Sequence, residues 1–161
     1  MTEDTVVVVT SHSPQETRRL GRAVGDMMSG GEVVWVEGPL GAGKTVFVQG
    51  LASGLGIAGP VQSPSFVLER HHYGRLHLRH LDLYRLTAEE ALEAGLLFDD
   101  DQEDTVTVIE WADRAMGHLT PTMTVKIEFS PSGPEDRIVS LNSSLEHWRK
   151  KVRDAASRSS H

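Results

Sequence analysis

Cysteine is absent from the 161 residues of the chain, which rules out disulfides and thiolate metal sites and fits a reducing compartment. No apolar run approaches the roughly 18–20 residues that a membrane-crossing helix requires. The N-terminal stretch is acidic and then β-like, and lacks the basic region and small-residue cleavage site of a secretory leader. A cytoplasmic protein without membrane contact is therefore expected. Positive charge is also in short supply. The formal net charge of −7 would repel a nucleic-acid backbone, which argues against DNA binding and leaves RNA to local contacts or to a partner. The length suits one domain with a real core.

The chain does carry Gly38-Pro-Leu-Gly-Ala-Gly-Lys-Thr45, which has the spacing G-x-x-x-x-G-K-[ST] of a phosphate-binding P-loop. Glycines allow a sharp turn and close approach of backbone N–H groups to phosphate oxygens. Lys44 brings a mobile cation to the β- and γ-phosphates, and the Thr45 hydroxyl is a ligand for Mg²⁺. The β-rich run Val33–Glu37 precedes the loop, and the segment from Thr45 to Ala52 can continue as a helix. A strand entering and a helix leaving is the context such a loop needs, and the helix N-terminus adds partial positive charge for the phosphates.

Around this centre the chain reads as alternating elements. Thr5–Val9 is a first strand. Ser13-Pro-Gln-Glu16 is a capping box with proline at the first helical position, and Leu20, Ala23, Val24, Met27 and Met28 form one apolar helix face. Residues 66–72 and 75–83 read as a hairpin joined at Tyr73-Gly74, with a phase shift at Arg79-His80 that predicts a bulge or change of face. The four histidines between His71 and His80 are expected on a solvated basic strand face, because their spacing offers no helical i, i+4 pair for zinc. Thr87-Ala-Glu-Glu90 is a second capping box, and Asp99 to Asp104 reads as a solvated acidic loop. Met123–Phe129 and Arg137–Leu141 form a late strand pair, followed by a short helix from Ser143. The basic, Ser-rich residues from Arg149 onward predict a frayed tail.

Three further positions carry possible chemistry. Ser63 and Ser65 flank Pro64 and read either as γ-phosphate or Mg²⁺ sensors or as a Ser/Thr turn opening a strand. Asp82 is a carboxylate set among leucines, a placement that needs a reason. Thr105-Val-Thr-Val-Ile109 is a buried strand ending in Glu110-Trp111. An acid at such a strand end occupies a Walker-B position, where a carboxylate holds Mg²⁺ or orients the attacking water.

With these residues laid out, the sequence resembles the TsaE (YjeE-type) family of ATPases. The landmarks are Gly41-Ala-Gly-Lys-Thr45, Ser63-Pro-Ser-Phe66, His80-Leu-Asp-Leu-Tyr-Arg85 and Ile109-Glu-Trp111, with Ser13-Pro-Gln-Glu-Thr17 similar to the family's opening helix. Ser65 replaces the usual threonine and Pro39 a common aspartate. The resemblance implies a single α/β P-loop domain over residues 1–148, with a central, mostly parallel sheet, an antiparallel hairpin and helices on both faces. Residues 149–161 would be a flexible tail. It implies ATP held by Thr17, Gly41, Ala42, Gly43, Lys44, Thr45, Val46 and Trp111, with Mg²⁺ on Thr45 and Glu110. Lys44, Asp82 and Glu110 would be catalytic, Asp82 orienting water or completing the metal shell. Tyr84 and Arg85 would face the nucleotide or a partner. The implied partners are the TsaB–TsaD pair, with tRNA reached through that complex. The implied process is threonylcarbamoyl transfer onto the adenosine next to the anticodon. A small-molecule P-loop kinase and a nucleotide-loaded binding module without significant hydrolysis are the competing readings. The first normally needs a lid, and no long inserted lid is visible. A GTPase would need an Asn-Lys-x-Asp motif, which is missing.

Overall fold

A computed structural model describes residues 5–62, 68–97, 103–112, 119–143 and 145–159. Seven strands build one sheet: β1 (Thr5–Ser11), β2 (Val33–Glu37), β3 (Glu69–Tyr73), β4 (His77–Asp82), β5 (Thr105–Glu110), β6 (Met123–Phe129) and β7 (Arg137–Ser143). Their order is β1-β7-β6-β2-β5-β4-β3. The four central strands β6, β2, β5 and β4 are parallel, and β1, β7 and β3 join antiparallel. All six residues of β5 are buried, as expected of a central strand covered on both faces. The hairpin of β3 and β4 forms as expected.

Four helices cover the sheet: α1 (Pro14–Asp26), α2 (Lys44–Gly54), α3 (Ala88–Glu93) and α4 (Glu146–Ser159). One apolar core joins α1, α2 and α4 to Val34, Val36, Leu78, Val106 and Val108. A smaller one on the opposite face packs Ala91 of α3 with Leu81, Leu83 and Ile109. Local sequence sets the helix starts. Glu16 N–H donates to Ser13 Oγ at 3.1 Å, while the Glu16 carboxylate reaches back to His12 N–H at 2.7 Å. Thr87 and Glu90 complete a reciprocal capping box on α3.

Helices α1 and α2 cross at glycines. A Cβ built on Gly50 would press on Arg18 O and lie 2.9 Å from Arg18 C, and one on Gly54 would lie 2.6 Å from Asp26 N. Gly21 and Gly25 face Phe47 and Leu51 in the same way. Two Gly-x-x-x-Gly pairs therefore let the backbones touch, a spacing that places both glycines on one helix face. Arg75, in the turn between β3 and β4, locks the far end of this crossing. Its guanidinium donates to Met28 O, Gly25 O and Gly54 O at 2.8, 3.1 and 3.0 Å, serving the terminal carbonyls of both helices.

The structure departs from three expectations. The phase shift at Arg79-His80 is not a bulge, because β4 keeps unbroken register with both β3 and β5. It marks a strand buried on both faces: Arg79 and His80 each have 0% exposure, so His80 is not on a solvated face. Arg79 is held by Glu69 Oε1 at 2.9 Å and by Leu96 O at 2.6 Å. The frayed tail is instead α4, which runs to Ser159. Trp148, Val152 and Ala155 are buried at a helical spacing, and that apolar stripe outweighs the polar composition around it. Ser63, Ser65 and most of the acidic loop, residues 98–102, lie outside the described residues.

Candidate nucleotide-binding site

Strand β2 delivers the chain into the glycine loop, and α2 leaves it at Lys44. Gly41 and Gly43 have φ of 80° and 107°, in the left-handed region where a side chain would be strained. A Cβ on either would meet nothing within 4 Å, so the loop is an open cradle. Its helix is also uncapped. Serine and threonine side chains cap α1 and α3, but α2 has Gly43 at its N-cap, no side-chain cap and no acid in its first turn. The first-turn N–H groups of any helix lack intrahelical partners. Here an anion beside the loop would satisfy them, with the helix dipole in support.

Two cavities flank the loop and share Gly41 and Gly43. One, about 320 Å³, is lined by Leu40, Lys44, Thr45, Asp82, Glu110 and Trp111. The other, about 210 Å³, is lined by Pro14, Thr17, Ala42, Val46, Glu135 and Arg137. The first gathers the charged groups and the expected metal ligands that the sequence singled out. The second gathers Thr17, Ala42 and Val46 beside the start of α1. All ten site positions thus lie around one loop.

Parallel pairing of β4 with β5 sets Asp82 beside Glu110, so two strand ends present carboxylates to one cavity. Asp82 is 6% and Glu110 3% exposed. Asp82 Oδ1 accepts the Tyr84 N–H at 3.0 Å, which turns the chain out of the strand. Glu110 Oε2 lies 2.7 Å from His80 Nε2. The Lys44 ammonium donates to Gly38 O and Pro39 O at 2.6 and 3.0 Å and sits 4.6 Å from the centre of the Trp111 ring. Burial pushes its pKa below the usual lysine value, while the Glu110 and Asp82 charges oppose that shift. Trp111 has φ of 60°, an uncommon conformation for a large side chain and a strain of order 1–3 kcal/mol. Its ring packs on Tyr84 at 4.8 Å, so Tyr84 stands at the cavity's edge. Arg137 is a residue that sequence reading missed. It leaves β7 to donate to Ala42 O at 3.0 Å, tying the glycine loop to the far strands. Nothing in its local pattern signals this, because the contact spans the sheet.

This donor set suits a nucleoside polyphosphate with a divalent cation. The loop offers backbone donors and a cation for phosphates, while Thr45, Asp82 and Glu110 offer the hard oxygens that Mg²⁺ prefers. Glycine loop, uncapped helix and strand-end acids on a parallel sheet define a P-loop protein. Within that class the chain belongs to one family: the model for threonylcarbamoyl adenosine biosynthesis protein TsaE matches residues 11–139. A TsaE protein of Treponema pallidum is 43% identical over 73% of this chain and 86% of its own length. One from Nostoc sp. is 40% identical over 83% and 85%. The crystal structure of Bacillus subtilis YdiB aligns over 100% of both chains, with a TM-score of 0.75 and 25% identity.

Proposed function

We infer that the chain is a Mg²⁺-dependent ATPase that acts with the TsaB–TsaD pair to support threonylcarbamoyl transfer onto tRNA. The observation that carries the hydrolytic part is the shared wall of the two cavities. A nucleotide threaded past Gly41–Gly43 would put its base end beside Thr17, Val46 and Arg137 and its phosphates beside Lys44, Asp82 and Glu110. The pairing with TsaB–TsaD and tRNA rests on family membership. It also suits a net charge of −7, which favours reaching RNA through partners.

Phosphoryl transfer asks little covalent chemistry of the protein; placement and charge neutralisation dominate. Lys44 leaves its loop carbonyls to neutralise the β- and γ-phosphates. The N–H groups of the loop and of the first turn of α2 orient the same oxygens. Thr45 and Glu110 would hold Mg²⁺, which when bound adds Lewis-acid stabilisation of phosphate charge. Asp82, held by the Tyr84 N–H, accepts a hydrogen bond from the attacking water and so aims it. Trp111 walls the cavity and limits solvent around Lys44. The competing reading, a binding module that needs only occupancy, is separated by Glu110→Gln. That variant should bind ATP and lose phosphate release by about 100-fold, in the range of a lost positioning or acid–base group. Wild-type turnover in Glu110→Gln would remove Glu110 from the mechanism.

A further inference from the structure

Glu110 leaves β5 with one carboxylate oxygen already engaged. His80 is 0% exposed and its Nε2 lies 2.7 Å from Glu110 Oε2. A carboxylate is an acceptor, so Nε2 carries the proton and the ring's tautomer is set by this bond. In the register of the sheet His80 pairs with Val108 and Asp82 with Glu110. His80 therefore reaches diagonally across the strand pair, on the same face as both acids. The second ring nitrogen, Nδ1, is buried and has no hydrogen-bond partner among the described residues.

That arrangement is costly for a purely structural side chain. Burying an imidazole with one nitrogen unsatisfied loses free energy that an aliphatic residue, like Leu78 one pleat away, would not lose. The bond to Glu110 is what the ring supplies in return. The geometry points to His80 as the positioning residue of the site: it clamps one oxygen of Glu110 so that the other stays turned to the cavity where Mg²⁺ would be held. This rests on the ATPase reading above. Carboxylates that bind metals are commonly oriented by such outer partners, whose loss lowers metal affinity or activity about 10–100-fold. His80 does not touch nucleotide or metal itself and acts only through Glu110.

Two variants of the full chain test this. In His80→Gln the side-chain amide nitrogen falls near Nε2 and can still donate to Glu110. In His80→Asn it falls near Nδ1 and cannot reach. Three quantities are read: thermal melting, affinity for a fluorescent ATP analogue in EDTA, and the factor by which Mg²⁺ tightens that affinity. Phosphate release is followed in parallel. His80→Asn should keep metal-free affinity within about threefold yet lose the Mg²⁺-dependent tightening and kcat by about 10–100-fold. His80→Gln should recover most of both. Equal behaviour of the two amides, or loss of metal-free affinity in step with everything else, would overturn the positioning role. A wild-type protein that binds Mg-ATP without hydrolysing it would sink the ATPase reading alone, because the tightening factor still decides His80. A wild-type protein that binds no nucleotide would sink both.

Discussion

Replacing Gly50 with alanine pits helix propensity against packing. In an exposed helix interior the change would stabilise by about 1 kcal/mol. Here the new methyl would press on Arg18 O and sit 2.9 Å from Arg18 C, where ordinary contact begins near 3.4 Å. Both obstacles are backbone, so no side chain can rotate away. Relieving the closer of the two, Arg18 O, requires the helices to separate by roughly 1 Å or more across faces that share one core. Overpacking costs of this kind run to about 3 kcal/mol, which outweighs the propensity gain and leaves a net loss of about 2 kcal/mol. For a domain of this size that lowers Tm by about 4–8 °C. Gly21→Ala acts on the same crossing, so the double variant should lose less than the sum of the two. Nucleotide affinity should fall too, because α1 walls the base-side cavity and α2 carries Lys44 and Thr45. Calorimetry of the three variants decides the matter. An unchanged or higher Tm in Gly50→Ala would show that the close crossing of the two helices is not what holds them.

Arg75→Ala removes three guanidinium hydrogen bonds to the ends of α1 and α2. It should cost about 1–3 kcal/mol in urea unfolding, at the level of hydrogen bonds from a charged donor. Arg137→Ala frees Ala42 O from its tether and should weaken ATP binding several-fold with a smaller change in Tm, as calorimetric titration would show. His12 and Asp136 form an exposed pair at 3.0 Å that raises the His12 pKa and lowers that of Asp136, whose larger cause is the bond from Ser132. A raised histidine pKa contributes stability below its unfolded value near 6.5 that is lost as pH rises through the folded one. A lowered aspartate pKa contributes stability above about 3.8 that is lost as pH falls through the folded value. The pair therefore contributes most between these limits. NMR titration should place His12 above an unperturbed histidine, and Asp136→Asn should return it.

Much of the fold was legible because its signals are local. The capping residues Ser13 and Thr87, the apolar face of α1 and the turn at Gly74 all act within a few residues. The glycine loop was legible for the same reason, since its chemistry is contiguous. What the pattern hid depends on partners distant in sequence. His80 and Arg79 look polar in a strand, and only the covering of β4 on both faces makes them interior residues with specific partners. The buried stripe of α4 hides in a composition dominated by charge, although Trp148, Val152 and Ala155 do carry the helical period. Gly21 and Gly25, and Gly50 and Gly54, stand four residues apart in the sequence, a spacing that gives no local signal of its own. Their meaning arises only when two helices meet.

We propose that the two cavities around Gly41–Gly43 serve one hydrolysed nucleotide and that contact with TsaB–TsaD completes the geometry for hydrolysis. Phosphate release from Mg-ATP should be measured with the protein alone, with purified TsaB–TsaD added, and with Lys44→Ala in both settings. Slow release alone, strong stimulation by the pair, and loss of both in Lys44→Ala are expected. Tight ATP binding with no release in either setting, or wild-type release from Lys44→Ala, would contradict the proposal.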